Sequence, residues 1–118
     1  MKPDNIILDK SKDFALSVIE LYKYLCTEKK EFVISKQVLR SGISIGANAK
    51  EASLAQSKRD FISKFSISLK EAGETEYWLE LLYRSNYISK SQYELYYNGI
   101  DELIRIITSI LKTTKKNI

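Results

Sequence analysis

The stretch that decides the fold is KQVLRSGISIGANAKEASLAQSKRDFISKFSISLKEAGETEYWLELLY, which runs from Lys36 to Tyr83. It contains no proline, and its apolar residues recur every three or four positions on both sides of a polar break near residues 56–60. This spacing places each set on one face of a helix. The stretch therefore predicts two long amphipathic helices joined by a tight turn. The predicted apolar stripes are Leu39, Ile43, Ala47 and Leu54 on the first helix, and Phe61, Phe65, Leu69, Ala72, Leu79 and Tyr83 on the second.

A further amphipathic helix is predicted on each side of this pair. The flanking stripes are Phe14, Val18, Leu21 and Leu25 before it, and Tyr93, Tyr96, Ile100, Leu103, Ile107 and Ile110 after it. We place the four helices at about residues 9–27, 35–57, 58–85 and 91–115. Long helices with short connections predict an all-α fold, an antiparallel up-down-up-down four-helix bundle, as a single domain over residues 1–118.

Polar residues at the predicted helix starts suggest caps, because their side chains can accept hydrogen bonds from the free N–H groups of a first turn. The candidates are Asp9 or Ser11 for the first helix, Ser35 for the second, and Ser89 with Gln92 or Ser91 with Glu94 for the fourth. The last two pairs fit the capping-box pattern, in which the two side chains bond each other's backbone.

Composition narrows the class of protein. The 118 residues are 44% hydrophobic, which suits one folded domain. Four glycines and one proline favour a few long helices over many short strands. The single cysteine, Cys26, cannot form a disulfide within the chain and suits a reducing compartment. No apolar run approaches the roughly 20 residues that span a bilayer, and no signal peptide is present, so we expect a cytoplasmic protein without a membrane partner.

No pattern of catalytic or metal-binding residues is present. The chain has no histidine, which excludes a di-iron site of the Glu-x-x-His type and leaves too few ligands for zinc. Nucleotide-binding glycine loops and the GxSxG motif do not occur. We therefore expect no cofactor, no metal, no catalytic residue and no enzymatic activity.

The middle of the second helix, RSGISIGANA, is unusually rich in small residues. Gly42 and Gly46 each cost about 1 kcal/mol relative to alanine in a helix interior, which indicates close packing against the core or against a neighbouring chain. Polar residues nearby suggest a structural polar network of Arg40, Ser44, Asn48 and Glu76. A small-molecule site lined by Arg40, Asn48 and Glu76 is the alternative.

Positive charge gathers where helix ends meet. The net charge is +4, and an up-down topology brings the second turn and the C-terminus to one end of the bundle. The candidate nucleic-acid-binding residues there are Lys58, Arg59, Lys64, Lys112, Lys115 and Lys116. Such a cluster can contact phosphates without reading sequence. Lysines that merely solvate helix ends are the alternative.

The third helix carries more apolar residues than one core needs. Beside its main stripe lie Ile62, Ile67, Trp78, Leu81 and Leu82. Large exposed apolar patches usually mark interfaces, so this surplus favours self-association or contact with another protein.

The segments LRSGISIGANAKEA, residues 39–52, and SKRDFISKFSISLKEAGETEYWLELL, residues 57–82, resemble the intervening-sequence proteins encoded within bacterial 23S rRNA genes, also called the S23 family. The matching positions are Arg40, Ser41, Ser44, Ile45, Ala47, Asn48, Asp60, Phe61, Glu76 and Leu79. Residues 49–52 read AKEA, where the family is closer to IAEG; this change leaves the helix intact.

The resemblance implies a left-handed up-down-up-down bundle that assembles as a homopentamer and has no established enzymatic activity. It also implies a relationship to the accessory variability protein of diversity-generating retroelements, a pentameric barrel that binds nucleic acid. We accordingly expect a homo-oligomer whose further partner is RNA or DNA. A protein-interaction scaffold that uses exposed tyrosine and tryptophan side chains, with no nucleic-acid role, is the alternative.

Overall fold

Four helices account for nearly all of the chain in a computed structural model, which describes residues 2–116. The helices are α1 (Lys2–Thr27), α2 (Ile34–Ser53), α3 (Lys58–Arg84) and α4 (Lys90–Lys116). No strand occurs within residues 2–116. The all-α four-helix bundle predicted from the apolar spacing is confirmed.

Contacts run around the bundle between neighbouring helices. α2 packs against α1 and α3, and α4 packs against α3 and α1, with the α1–α4 contact the smallest. The resulting particle measures 47 × 21 × 19 Å. Within the described part of the chain, no helix is long and apolar enough to cross a membrane.

α1 begins at Lys2, earlier than the predicted start near residue 9. The reason is that its buried stripe extends through Ile7 and Ser11 before reaching Phe14. Asp9 and Ser11 therefore lie inside the helix and do not cap it. The buried Ser11 hydroxyl donates to the Leu8 carbonyl within its own helix, which satisfies a polar group that broke the apparent periodicity.

The apolar stripe predicted for α2 was wrong at three of its four positions; only Leu39 packs against the core. Ile43 and Leu54 are 38% and 69% exposed, and Ala47 is also exposed. The face turned to the core instead carries Val38, Ser41, Gly42, Ile45, Ala49 and Ala52. Apolar residues occur on two faces of α2, and the face that packs in the core also carries small and polar residues. The apolar spacing therefore indicated the wrong face.

The small residues of α2 serve packing within the chain. A Cβ added at Gly42 would lie 3.0 Å from two methyl groups of Val18, and one at Gly46 would lie 3.0 Å from the Ser11 Oγ. Gly42 and Gly46 thus permit the close approach of α1 and α2.

The start of α2 is capped by Glu31, not by Ser35. The Glu31 carboxylate accepts hydrogen bonds from the backbone N–H groups of Val33, Ile34 and Ser35, at 3.1, 2.9 and 2.7 Å. Glu31 is buried, with 7% of its surface exposed. A carboxylate at this end also suits the partial positive charge of a helix N-terminus.

The later helix starts use hydroxyl caps. Ser57 Oγ accepts from the Asp60 N–H at 3.0 Å at the start of α3. At α4, the Gln92 N–H donates to Ser89 Oγ at 3.1 Å and the Ser89 N–H donates to Gln92 Oε1 at 2.8 Å. The predicted Ser89–Gln92 capping box is confirmed.

Candidate nucleic-acid interface

The six basic residues predicted to bind nucleic acid lie at one end of the bundle. Lys58, Arg59 and Lys64 belong to the first two turns of α3, while Lys112, Lys115 and Lys116 belong to the last turns of α4. Because α3 and α4 are antiparallel neighbours, the start of one lies beside the end of the other. We call this the basic end.

Lys64 contributes least to the exposed charge of the basic end. Its Nζ lies 2.9 Å from the Glu51 carboxylate across the α2–α3 contact, and its side chain is 31% exposed. The hydrogen bond and the charge of Glu51 raise the pKa of Lys64, against partial desolvation and with a further contribution from Asp60. Because Lys64 is already paired with Glu51, its main role is to join α2 to α3, and less of its charge is available to a ligand.

The other cations of the basic end are more available. Arg59, Lys112, Lys115 and Lys116 are exposed, and none of them forms an ion pair with another described residue. Lys58 is exposed as well. Lys112 and Lys115 follow one another by about one helical turn, so they lie on the same side of α4.

Aromatic side chains are concentrated toward the opposite end of the bundle. All eight tyrosines and Trp78 lie in the half that holds the α1–α2 and α3–α4 connections. The Tyr83 and Tyr93 rings stack with centroids 4.7 Å apart, and Tyr97 continues the row at 5.9 Å from Tyr93. We call this the tyrosine end.

Acidic groups surround the tyrosine row. Burial, followed by the negative charges of Glu80 and Glu76 and by the neighbouring tyrosines, raises the pKa of Tyr93. The tyrosine end thus carries negative charge close to its rings, together with exposed cations such as Lys29, Lys30 and Lys36.

The predicted polar network is only partly assembled. The Ser44 hydroxyl donates to the Arg40 carbonyl at 2.7 Å, and the Asn48 amide donates to the Ser44 carbonyl at 2.9 Å. Within the described chain, Glu76 forms no hydrogen bond or ion pair with these three residues. The arrangement therefore does not form the small-molecule site of Arg40, Asn48 and Glu76.

Arg40 instead bonds two glutamates that the sequence reasoning did not connect with it. Its guanidinium donates to Glu71 at 3.2 Å and to Glu74. Glu74 also accepts from the Trp78 indole N–H at 3.1 Å. Glu71 and Glu74 are three residues apart on α3, a spacing that could have indicated a shared partner across the α2–α3 contact.

A groove lies on the outer side of the α1–α2 pair. Its volume is about 660 Å³, and small or apolar side chains line most of it. Leu8, Ala15, Ile43 and Ala47 form its apolar surface, with Asp9, Lys12 and Lys50 also present in its lining. Ile43 and Ala47, which the sequence pattern placed on the core stripe of α2, are thus part of an external apolar surface.

No cluster of residues suited to a metal ion was found within the described chain. Cys26 is a free, half-buried cysteine whose Sγ lies 3.8 Å from the Ser35 Oγ. A hydrogen bond with Cys26, with smaller contributions from its charge and from burial, raises the pKa of the Tyr22 hydroxyl.

Comparison with known proteins gives a family and a close structural relative. The family described as 23S rRNA-intervening sequence protein matches residues 3–109. A crystal structure from Bacteroides thetaiotaomicron, described as a protein of unknown function from the S23 ribosomal protein family, is 56% identical to this chain. The match covers 93% of this chain and 98% of the other, with a TM-score of 0.92. No protein of curated function matches the chain.

Proposed function

The chain belongs to the 23S rRNA-intervening sequence protein family, and we propose that it is a non-catalytic, oligomeric helical bundle that binds RNA or another nucleic acid through its basic end. The observation that carries this proposal is the exposure of Arg59, Lys112, Lys115 and Lys116 without acidic partners among the described residues. Cations in this state release counterions from a phosphate backbone when they bind it, which is the main source of sequence-independent affinity.

Self-association as a homopentamer is the second part of the proposal. It is supported by exposed apolar surface on several helices: the α1–α2 groove, and residues such as Ile67, Tyr77 and Leu95, which are 39%, 56% and 71% exposed. A contact along one side of a 47 × 21 Å bundle is large enough for the roughly 800 Å² per partner of a standard interface. A ring would repeat the basic end in every protomer and strengthen its field.

A titration of nucleic acid at several salt concentrations tests the binding proposal. We expect measurable affinity at low salt. The logarithm of the association constant should fall linearly with the logarithm of the salt concentration. A triple variant with Lys112, Lys115 and Lys116 replaced by alanine should bind weakly. The matched control, with Lys29, Lys30 and Lys36 replaced at the tyrosine end, should bind as well as the native chain.

Light scattering on the native particle tests the assembly. A mass near five times 13.6 kDa is expected for the pentamer. Absorbance at 260 and 280 nm across the same peak reports whether nucleic acid co-elutes. A monomer that binds nothing at low salt would overturn both parts of the proposal.

A protein-interaction scaffold is the second candidate function, and the row formed by Tyr83, Tyr93 and Tyr97 favours it. Tyrosine is enriched at protein interfaces because its ring buries apolar area while its hydroxyl keeps a polar partner. Co-purification that repeatedly returned one protein, lost on Tyr97→Ala and retained on Lys112→Ala, would favour this function over nucleic-acid binding.

A further inference from the structure

The exposed cations of the basic end lie far from the tyrosines and Trp78, and this separation limits how the basic end can hold a nucleic acid. We infer that the basic end contacts phosphates alone, without stacking on bases, and that its preferred ligand is double-stranded nucleic acid. This inference rests on the proposed function and specifies the class of ligand for the same surface.

The basic end offers no exposed ring for a base to stack on. Among the described residues, its nearest aromatic side chains are Phe61 and Phe65, which pack edge to face with centroids 4.9 Å apart. Phe65 is fully buried, and Phe61 packs against the core from a half-buried position. Sequence-tolerant binding of single strands usually combines a cationic groove with such stacking rings, so half of that arrangement is missing here.

The tyrosine end cannot supply the missing rings to the same strand. The bundle is 47 Å long, and Tyr83, Tyr93 and Tyr97 lie toward the α3–α4 connection, far along the helices from Lys112 and Arg59. Burial and then the negative charge of Glu80 and Glu76 raise the pKa of Tyr93 there. A strand that followed the protein from one end to the other would have to pass these carboxylates.

Binding through phosphates alone favours a duplex. A duplex carries one charge per about 1.7 Å of its axis, against one per about 3.4 Å for each of its strands, and it releases about 0.9 rather than about 0.7 counterions per contact. For four contacts, from Arg59, Lys112, Lys115 and Lys116, this difference amounts to about tenfold in affinity at about 50 mM salt. The end of the bundle measures 21 × 19 Å, which corresponds to about six base pairs per protomer.

Fluorescence anisotropy with the full chain tests the inference. The probes are a labelled RNA duplex of about 12 base pairs, twice the length that one bundle end covers, and a labelled oligouridine of the same nucleotide length per strand. We expect the duplex to bind about tenfold more tightly at about 50 mM salt. The intrinsic fluorescence of the tyrosines and Trp78 should stay unchanged, and Tyr97→Ala should bind both probes as the native chain does.

The outcomes separate this inference from the function on which it rests. Oligouridine that binds as tightly as the duplex, or that quenches the intrinsic fluorescence in proportion to its occupancy, would overturn the phosphate-only mode while leaving nucleic-acid binding in place. Loss of oligouridine binding in Tyr97→Ala would do the same. Failure of both probes to bind at low salt would remove the proposed function itself.

Discussion

Ser41 and Thr75 join α2 to α3 through their hydroxyl groups, which lie 2.8 Å apart in the interior of the bundle. Both residues are fully buried. The Thr75 hydroxyl also lies 2.8 Å from the Glu71 carbonyl, one turn earlier in its own helix. A polar contact of this kind fixes how α2 and α3 are rotated against each other, because an unpaired buried hydroxyl is costly.

Replacing Thr75 with valine should destabilise the bundle. The substitution keeps the shape of the side chain and leaves the Ser41 hydroxyl buried without its partner, at a cost of about 1–3 kcal/mol in the free energy of unfolding. Urea denaturation of Thr75→Val, Ser41→Ala and the double variant measures the coupling. The double variant should lose less than the sum of the single losses; strict additivity would show that the hydroxyls do not stabilise each other.

Two glycines should respond to alanine in opposite directions. A Cβ at Gly73 meets no atom within 4 Å, so Gly73→Ala should stabilise the chain by about 0.5–1 kcal/mol through helix propensity. A Cβ at Gly42 would press on the fully buried Val18 at 3.0 Å. Overpacking costs of about 1–3 kcal/mol exceed the propensity gain, so Gly42→Ala should destabilise. Equal shifts in thermal midpoint for the two variants would contradict the close α1–α2 approach.

The four helices were predictable because most of their core residues recur at helical spacing. The Phe14–Leu25 stripe of α1 and the Ile100–Ile110 stripe of α4 are buried as expected. The core face of α2 was not predictable in the same way. Its Ser41 is tolerated in the core only because Thr75 meets it there, and Ser68 of α3 is likewise satisfied by the Ile45 carbonyl at 2.7 Å. The spacing of residues within one helix does not indicate which residue of another helix will pair with a buried hydroxyl.

The basic end could be located from topology alone, whereas the ion pairs between α2 and α3 could not. The positions of Lys58, Arg59 and Lys112 follow from which helix ends meet. The bonds from Lys64 to Glu51 and from Arg40 to Glu71 depend on how each helix is rotated about its axis. That rotation is set by the buried contacts that the sequence pattern misassigned for α2.

Glu31 should prove to be the main cap of α2. Glu31→Ala removes an acceptor of three backbone hydrogen bonds and should lower the free energy of unfolding by about 1–3 kcal/mol. Glu28, which is exposed in the same connection, provides the control. If Glu28→Ala and Glu31→Ala gave the same urea midpoint, capping by Glu31 would not stabilise the fold.

Tyr96 should make the bundle sensitive to alkaline pH. Burial, followed by the charge of Glu20, raises the pKa of Tyr96 above its ordinary value near 10, and its hydroxyl donates to the Ser17 carbonyl at 3.3 Å. Above pH 10 the unfolded chain loses this proton before the folded chain does, so stability is complete below that pH and falls as the pH rises. Urea midpoints measured from pH 8 upward should fall less steeply for Tyr96→Phe than for the native chain. Tyr77→Phe, at a tyrosine 56% exposed, should retain the native slope.

Single substitutions at the basic end should weaken nucleic-acid binding by the same factor for every nucleic-acid sequence. If Arg59 and Lys112 each contact one phosphate, replacing either with alanine should reduce the salt slope by about 0.9, which is about eightfold in affinity at about 0.1 M salt. The loss should be equal for duplexes of unrelated sequence, because phosphate contacts carry no base information. Lys36→Ala, at an exposed lysine of the tyrosine end, should change neither quantity. A loss that varied with duplex sequence, or an equal loss in Lys36→Ala, would show that the charge of the basic end does not hold the ligand.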